Sequence, residues 1–580
     1  MVLKIIDCVP HELLDAVNVF SKELEWARRI PVYEVHKWWA RRYSGIVRLF
    51  LAFTELDSEL LKSVSDFSSF VRNLYFNPPK VKNKKLLDPF AGGGTILVEG
   101  SILGYECVGI DINKLPCLLL NSLKVLPYMD FKKFEQNIKT IADYLLDRLW
   151  RTRCLKGHNA YIIHTFLVWK NGKGEHQIRS NKIKDGKLKF YFCEKCGNTY
   201  ASEAEQTRCT FCGNEFNKSK RYDKLEYCEL SPYAIEYYCS TCCERNIKKT
   251  TEEDLDNFWR NTTCNLLNIP KLSETDRLLK VGIRDFSQLL TPRQLLTFEI
   301  FLNHFNTEPG KTLAKVLVSD ALRSCSILAY YSEKYAKVIP AFVIKSYWLP
   351  PQPVELNPLA YRFLNGRVLP LGRGNIISAF RKLRRARNFI IQYKIELRYK
   401  ILHGPAQDIL PQIDETFDVI FTDPPYVNYQ YYSDLSLFNL SLIKEVNEQT
   451  LTELLRKELT LRHKKDLMNY KKGLIETFCP AVDRLSNNGK LLVTFHHPDL
   501  KMLYTFLEVF KKLPIRLQAI YPVIGESSGK LIERKIYLDL LFVFGKQQRD
   551  IHYSFTTYTL TKYDKLLQSS IPTLIEFYKE

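Results

Sequence analysis

Strand-like and helix-like runs alternate in two places that are separated by nearly half the chain. Before residue 112, Lys85–Asp88 and Glu106–Ile110 read as strands, with a helix over Ile96–Leu103 between them. After residue 396, Arg398–Leu402, Phe417–Phe421, Lys490–Phe495, Arg516–Tyr521 and Ile536–Phe544 are strand candidates, with helices at about 434–446, 470–486 and 501–511. Strand–helix alternation predicts a doubly wound α/β sheet, because each parallel pairing needs a crossover. Neither stretch holds a full sheet alone, so the expectation is one Rossmann-like sheet interrupted by a large insertion. A 580-residue chain would otherwise divide into three to four units at about 150 residues each; the interruption reduces that to about two. The expected divisions are 1–125 (N-terminal helices and the first half of the sheet), 126–395 (the insertion), 396–548 (the second half) and 549–580 (a C-terminal extension).

Two loops at the ends of these strands carry polar residues suited to chemistry. Asp88-Pro89-Phe90-Ala91-Gly92-Gly93-Gly94-Thr95 joins the first strand to its helix. Its glycines let the backbone approach a ligand closely at the carboxyl edge of a sheet. The next strand ends in Gly109-Ile110-Asp111-Ile112, where an acid can accept hydrogen bonds from ribose hydroxyls. Loop and acid together point to a nucleoside-bearing cofactor. Far along the chain, Phe417–Thr422 leads into Asp423-Pro424-Pro425-Tyr426, where the paired prolines stiffen a turn.

The cysteines are unevenly spread. Of 15, eight fall between Cys193 and Cys243. Clustering in one segment of a long chain reads as metal binding rather than a disulfide framework. Cys193-Glu194-Lys195-Cys196-Gly197 and Cys209-Thr210-Phe211-Cys212-Gly213 form two CxxCG knuckles. Their four thiolates suit a tetrahedral, closed structural zinc site, so a zinc ribbon is expected within about 185–250. Cys239-Ser240-Thr241-Cys242 has Cys243 and Cys228 nearby but no complete knuckle facing it. Free thiols on an extra ribbon loop are expected there in preference to a second zinc; Cys154 and His158 could complete such a site and are expected not to.

The DPFAGGGT loop and the Asp-Pro-Pro-Tyr turn together resemble motifs I and IV of the amino-methyltransferases, which use S-adenosylmethionine to methylate an exocyclic amine. The wider chain resembles the adenine-specific DNA methylases that contain a zinc ribbon. The matching pieces include His36-Lys37-Trp38-Trp39-Ala40-Arg41-Arg42, Thr291-Pro292-Arg293-Gln294-Leu295, Pro353-Val354-Glu355-Leu356-Asn357-Pro358 and Tyr429-Gln430-Tyr431-Tyr432-Ser433-Asp434. The resemblance implies N6 methylation of adenine in DNA by base flipping. Asp423 and the Pro424 carbonyl would accept N–H bonds from the amine, with Pro425 stiffening the turn. Tyr426 would offer its face to the extruded base; its other reading is a core aromatic. Asp88, Pro89, Phe90, Ala91, Gly92, Gly94, Thr95, Asp111 and Ile112 would hold S-adenosylmethionine. Trp39 and Arg41 would lie near its methionine end, unless the Trp-Trp segment is only a tryptophan-anchored helix with surface arginines. The insertion would recognise the target, and partner proteins of restriction or defence systems are implied. One departure stands out. An acid often follows the glycine after strand three in such enzymes, and here the run is His403-Gly404-Pro405-Ala406-Gln407-Asp408. Gln407 or Asp408 takes that place, or the contact is missing.

Charge narrows the partner only to a polyanion. Lysine and arginine total 84 against 64 acids, a net +20, and DNA is the expectation with RNA as alternative. The tRNA guanine-N2 methyltransferases share a similar loop and Asp-Pro-Pro-Tyr turn, but usually carry an RNA-binding domain before the loop. Cytosine-N4 enzymes more often have serine in place of Asp423. A non-catalytic zinc-ribbon protein with a degenerate cofactor fold is the reading from another class. The basic run Arg381, Lys382, Arg384, Arg385 and Arg387 could lie along phosphates or form a solvated helix face. Glu526-Ser527-Ser528-Gly529-Lys530 reads as a surface hairpin. No run approaches a membrane span of ~20 apolar residues, and Met1–Leu14 lacks an apolar signal core, so a cytoplasmic location is expected.

Overall fold

The computed structural model describes the chain except residues 1–2, 28–29, 40, 170–175, 181–187, 194, 197, 203, 205, 216–229, 259–265, 333–336, 341–346, 351–352, 365–366, 427–430, 461–466, 498, 526–537, 559–561 and 580. Cys228, Ala40, Tyr429, Gln430 and the 526–530 loop therefore lie outside the described residues. So do Glu194 and Gly197 of the first knuckle. The chain divides into two compact units, one formed by 1–127, 386–433 and 452–580, the other by 128–385 and 434–451.

The first unit holds an eight-stranded mixed sheet. Its strands are β1 (Lys85–Asp88), β2 (Glu106–Asp111), β3 (Tyr399–His403), β4 (Phe417–Thr422), β5 (Leu485–Phe495), β6 (Arg516–Ile524), β7 (Leu538–Gly545) and β8 (His552–Tyr553). The order across the sheet is β3-β2-β1-β4-β5-β7-β6-β8. Pairings from β3 to β5 are all parallel, while β7 runs antiparallel to both β5 and β6. This is the expected α/β sheet with a mainly parallel core, and β4 stands fourth in it. Buried strands read as continuous apolar runs, and β7 is buried from Leu538 to Gly545. An unbroken hydrophobic cluster covers the β4–β7 side, built from Phe478, Leu491, Val493, Phe506, Phe510, Phe542 and Phe544 among others.

Register aligns the functional ends. Leu87 lies opposite Ile420, and Asp88 opposite Gly109. The carboxyl ends of β1, β2 and β4 thus open on one edge, the usual ligand edge of such sheets. The N-terminal helices His11–Ala27, Ser44–Phe53 and Phe67–Phe76 pack on this unit. Arg48 Nε meets Glu99 Oε2 at 2.5 Å, and Arg48 Nη1 donates to the Tyr75 carbonyl at 2.8 Å. Glu99 and Arg48 are both buried, so the pair leaves neither charge uncompensated.

In the second unit, strand Asn159–Trp169 pairs antiparallel with Arg151–Arg153, Leu230–Cys239 and Val354–Leu356, and Glu244–Lys249 adds to Leu230–Cys239. A separate sheet comprises His176–Ser180, Leu188–Phe192 and Thr199–Ser202. Two sequence motifs meet in the buried core here. Arg293 Nη2 pairs with Glu355 and donates to Thr165 Oγ1 at 2.9 Å, while Gln294 Nε2 donates to the Leu356 carbonyl at 2.9 Å. Arg293 and Glu355 are essentially inaccessible, so these motifs specify packing rather than a surface. In the basic run, Lys382 pairs with Asp320, Arg384 with Glu135, and Arg387 donates to the Leu126 carbonyl. Only Arg381 and Arg385 are exposed, which fits a solvated face better than a row of phosphate contacts. No described helix is long and apolar enough to cross a membrane.

Candidate active site

The β1 loop closes tightly around its own acids. Asp88 Oδ1 accepts from Phe90 N at 3.1 Å and from Thr422 Oγ1 at 2.8 Å, tying the ends of β1 and β4 together. Asp111 accepts from Gly92 N at 2.8 Å and Asn113 N at 2.7 Å. Burial raises the Asp88 carboxyl to about 7 and the Asp111 carboxyl to about 6, against the pull of those donors. Gly94 caps helix Thr95–Leu103 in the left-handed region, at φ 76°.

A cleft of about 900 Å³, including its open mouth, lies over this edge. Asp88, Pro89, Phe90, Ala91, Gly92, Gly94, Thr95, Asp111, Ile112 and Arg41 line it, as do Asp423 and Pro425. Pro424, Tyr426 and Trp39 do not. Of the two candidates after β3, Gln407 lines the cleft; Asp408 instead pairs with Lys457 at 3.0 Å. The first indole of the Trp-Trp pair, rather than the Trp39 singled out from the sequence, is the one at the cleft: a Cβ on Gly92 or Gly93 would stand 3.0–3.3 Å from Trp38, whose ring stacks on Tyr432 at 5.6 Å. Trp39 packs edge-on to Trp38 at 5.4 Å, and Arg41 is tied to Glu25 at 2.9 Å.

Asp423 sits in a network that sequence reasoning did not reach. Arg42 clamps it with two bonds of 2.7 Å, Nε to Oδ2 and Nη2 to Oδ1. Thr494 Oγ1 donates to Oδ1 at 2.9 Å, and the Tyr426 hydroxyl donates to the same oxygen. Arg42 also pairs with Asp539, whose other oxygen meets His496 Nδ1 at 2.5 Å. Because β7 is antiparallel to β5, its second residue, Asp539, arrives at the carboxyl end of β5, beside His496. The signal was present: Asp539 alone interrupts the apolar run from Leu538 to Phe544, and an acid in a buried strand needs a partner. Burial pushes the Asp423 carboxyl up while Arg42 pulls it down.

Tyr426 takes the reading of a core aromatic in this arrangement. It is buried, edge-on to Phe495 at 5.2 Å, close to His496 at 4.3 Å and under Arg42 at 5.4 Å. The loop is braced from behind by Tyr470, whose hydroxyl donates to the Pro425 carbonyl at 2.7 Å.

In the second unit, the Sγ atoms of Cys193, Cys196, Cys209 and Cys212 lie within 4.8 Å of one another. Cys193 and Cys212 are 3.5 Å apart, and Cys196 and Cys209 3.7 Å. The edge of a zinc–thiolate tetrahedron is about 3.8 Å for metal–sulfur bonds of about 2.3 Å, so these residues fit a structural zinc. The expectation that Cys154 and His158 do not join Cys239 and Cys242 is corrected: the four donor groups gather within 4.8 Å of one another. The missing knuckle comes from a β-hairpin distant in sequence.

No family model matches the chain, and no curated protein matches it. Among solved structures it is similar to a candidate methyltransferase from Streptococcus mutans in complex with SAH, at 11% identity over 28% of this chain and 69% of that one, TM-score 0.15. It is also similar to a precorrin 8w decarboxylase from Methanobacterium thermoautotrophicum, at 10% identity over 28% and 62%, TM-score 0.14.

Proposed function

We propose that this chain is an S-adenosylmethionine-dependent methyltransferase acting on the N6 amine of adenine in DNA, a member of the zinc-ribbon adenine methylases that its motifs resemble. The observation that carries the reading is the meeting of two distant loops: Asp88–Thr95 on one, Asp423 and Pro425 on the other, line one cleft at the carboxyl edge of one sheet. Residues suited to the cofactor are in place. Asp111 ends β2, where it can take ribose hydroxyls. Asp88 Oδ2 and Thr95 Oγ1 are buried without a hydrogen-bond partner among the described residues, and both border the cleft. Such groups are costly unless something binds them. S-adenosylmethionine, when bound, supplies an electrophilic methyl group.

The chain's own part is positional. An aromatic amine is a weak nucleophile, because its lone pair is delocalised into the ring. An acceptor on its N–H pulls the nitrogen toward tetrahedral geometry. Asp423 Oδ2 accepts from Arg42 Nε at 2.7 Å, and a carboxylate oxygen has a second lone-pair direction for an incoming N–H. Arg42 and Thr494 fix the carboxylate before substrate arrives, which is where most of the catalytic advantage of such a site lies. Stacking of a base on Tyr426 requires its ring to leave Phe495 and His496. The net charge of +20 supports a nucleic-acid substrate, and an amine inside a duplex must be extruded to reach Asp423.

The test gives the full chain radiolabelled S-adenosylmethionine with duplex DNA, then with tRNA, and identifies the labelled nucleoside. N6-methyladenine from the duplex is expected. The Asp423→Ala variant should lose about 100-fold or more in rate while binding S-adenosylmethionine as the parent does. Label confined to tRNA, or full activity in Asp423→Ala, overturns the reading.

A further inference from the structure

We propose that Cys154, His158, Cys239 and Cys242 form a second structural zinc site, separate from the Cys193–Cys212 ribbon. Two hairpins build it. In one, Arg153 pairs with Asn159 across the turn 154–158. In the other, Cys239 pairs with Glu244 across the turn 240–243. Their inner strands pair with each other, Tyr161 opposite Tyr238, so the two turns meet at one end of a single sheet.

The donor atoms converge as a metal requires. All four lie within 4.8 Å of one another, and His158 Nδ1 is 3.1 Å from Cys242 Sγ. Zinc–sulfur bonds of about 2.3 Å and zinc–nitrogen bonds of about 2.0 Å demand edges of about 3.5–3.8 Å, which small movements from these positions supply. Backbone amides already point at the sulfurs: His158 N donates to Cys154 Sγ at 3.3 Å and Cys242 N to Cys239 Sγ at 3.4 Å. Amide donors of this kind stabilise thiolate charge and fix the ligands.

The turn geometry repeats that of the ribbon. Gly213, directly after Cys212, has φ 69°. Cys243, directly after Cys242, has φ 53° despite carrying a side chain. A non-glycine residue in the left-handed region is strained, and a knuckle wrapping a metal gives a reason for it. Cys154 and Cys239 are buried beneath Tyr237, whose hydroxyl accepts from Leu155 N at 3.1 Å. Three cysteines and one histidine leave no open position, so the site is structural. A disulfide would use two of the sulfurs and leave the imidazole no role.

The placement has a consequence for the insertion. The Cys193–Cys212 ribbon lies in the excursion between strands Asn159–Trp169 and Leu230–Cys239. Metal at the second site would clamp the base of that excursion, closing a long loop whose cross-linking restricts the unfolded chain.

The experiment measures bound metal in the purified full-length protein by mass spectrometry. Two zinc ions per chain are expected, falling to one in Cys239→Ser/Cys242→Ser and to one in Cys193→Ser/Cys196→Ser. An unchanged zinc content in Cys239→Ser/Cys242→Ser overturns the proposal, whatever becomes of the ribbon. Folding is controlled by His158→Cys, which should keep two metals. With Co²⁺ loaded in place of zinc, that variant should shift the visible absorption toward an all-thiolate spectrum. No shift means that the imidazole is not a ligand. Cys243→Ser should keep both ions, and loss of one would overturn the ligand set.

Discussion

At the scale of single residues, the site is organised by buried acids with different fates. Burial raises Asp423 against the pull of Arg42, whereas Asp88 has only neutral donors, Phe90 N and Thr422 Oγ1, and is raised to about 7. An unfolded aspartate titrates near 3.9, so between about pH 4 and 7 the folded chain holds a proton that the unfolded chain has lost. That binding difference stabilises the fold below pH 4 most fully, and it is lost as pH rises through 7. The ligand-free protein should therefore melt at lower temperature at pH 8 than at pH 6, and Asp88→Asn should remove much of the difference. The amide oxygen of Asn keeps both hydrogen bonds without a titrating proton. Thermal unfolding of parent and variant at the two pH values checks this; parallel losses in both would rule out Asp88 as the source. The sequence marked Asp88, Asp111 and Asp423 because each follows a strand. It singled out Arg41 and passed over Arg42, since which of two neighbouring arginines turns inward depends on a carboxylate 381 residues away.

At the scale of elements, the β1–loop–helix junction shows what a motif dictates. Gly94 has φ 76°, and a Cβ there would stand 2.1 Å from Leu120 Cδ2. Gly94→Ala combines a left-handed backbone cost of about 1–3 kcal/mol with that overlap. It should lower the melting temperature by several degrees and weaken S-adenosylmethionine binding, read by calorimetry; unchanged values for both would show that the loop rearranges freely. The strands of the large sheet were legible because they are apolar runs separated by helical spacing and glycine loops. The short strands Val354–Leu356, Tyr361–Leu364 and Arg367–Pro370 were not, because their prolines and glycines read as loop. Val354–Leu356 is set by its pairing with the distant Asn159–Trp169 and the other two by pairing with each other, not by local propensity. Cys154 and His158 were named as able to complete a site with Cys239 but not expected to, because Cys239 lies 85 residues beyond Cys154 and strand register alone brings them together.

At the scale of the whole molecule, the charge excess has a location. Most of the +20 lies in residues 128–385, nearly all of the second unit, while the cleft belongs to the first. The proposed substrate is a polyanion, so one unit would supply affinity and the other chemistry. Affinity gained by neutralising phosphates releases counterions, and each phosphate contact steepens the salt dependence. If the basic unit contacts about six phosphates, the logarithm of the duplex binding constant should fall with the logarithm of salt at a slope near −5. Fluorescence anisotropy of a labelled duplex between 50 and 200 mM salt, about 10³-fold in affinity at that slope, measures it directly. A slope near zero would mean that the excess charge serves something other than a phosphate backbone. It would also separate the question of charge from that of catalysis, because the cleft residues Asp88, Asp111 and Asp423 contribute nothing favourable to phosphate binding. Asp423→Ala should therefore keep the parent's salt slope while losing methyl transfer.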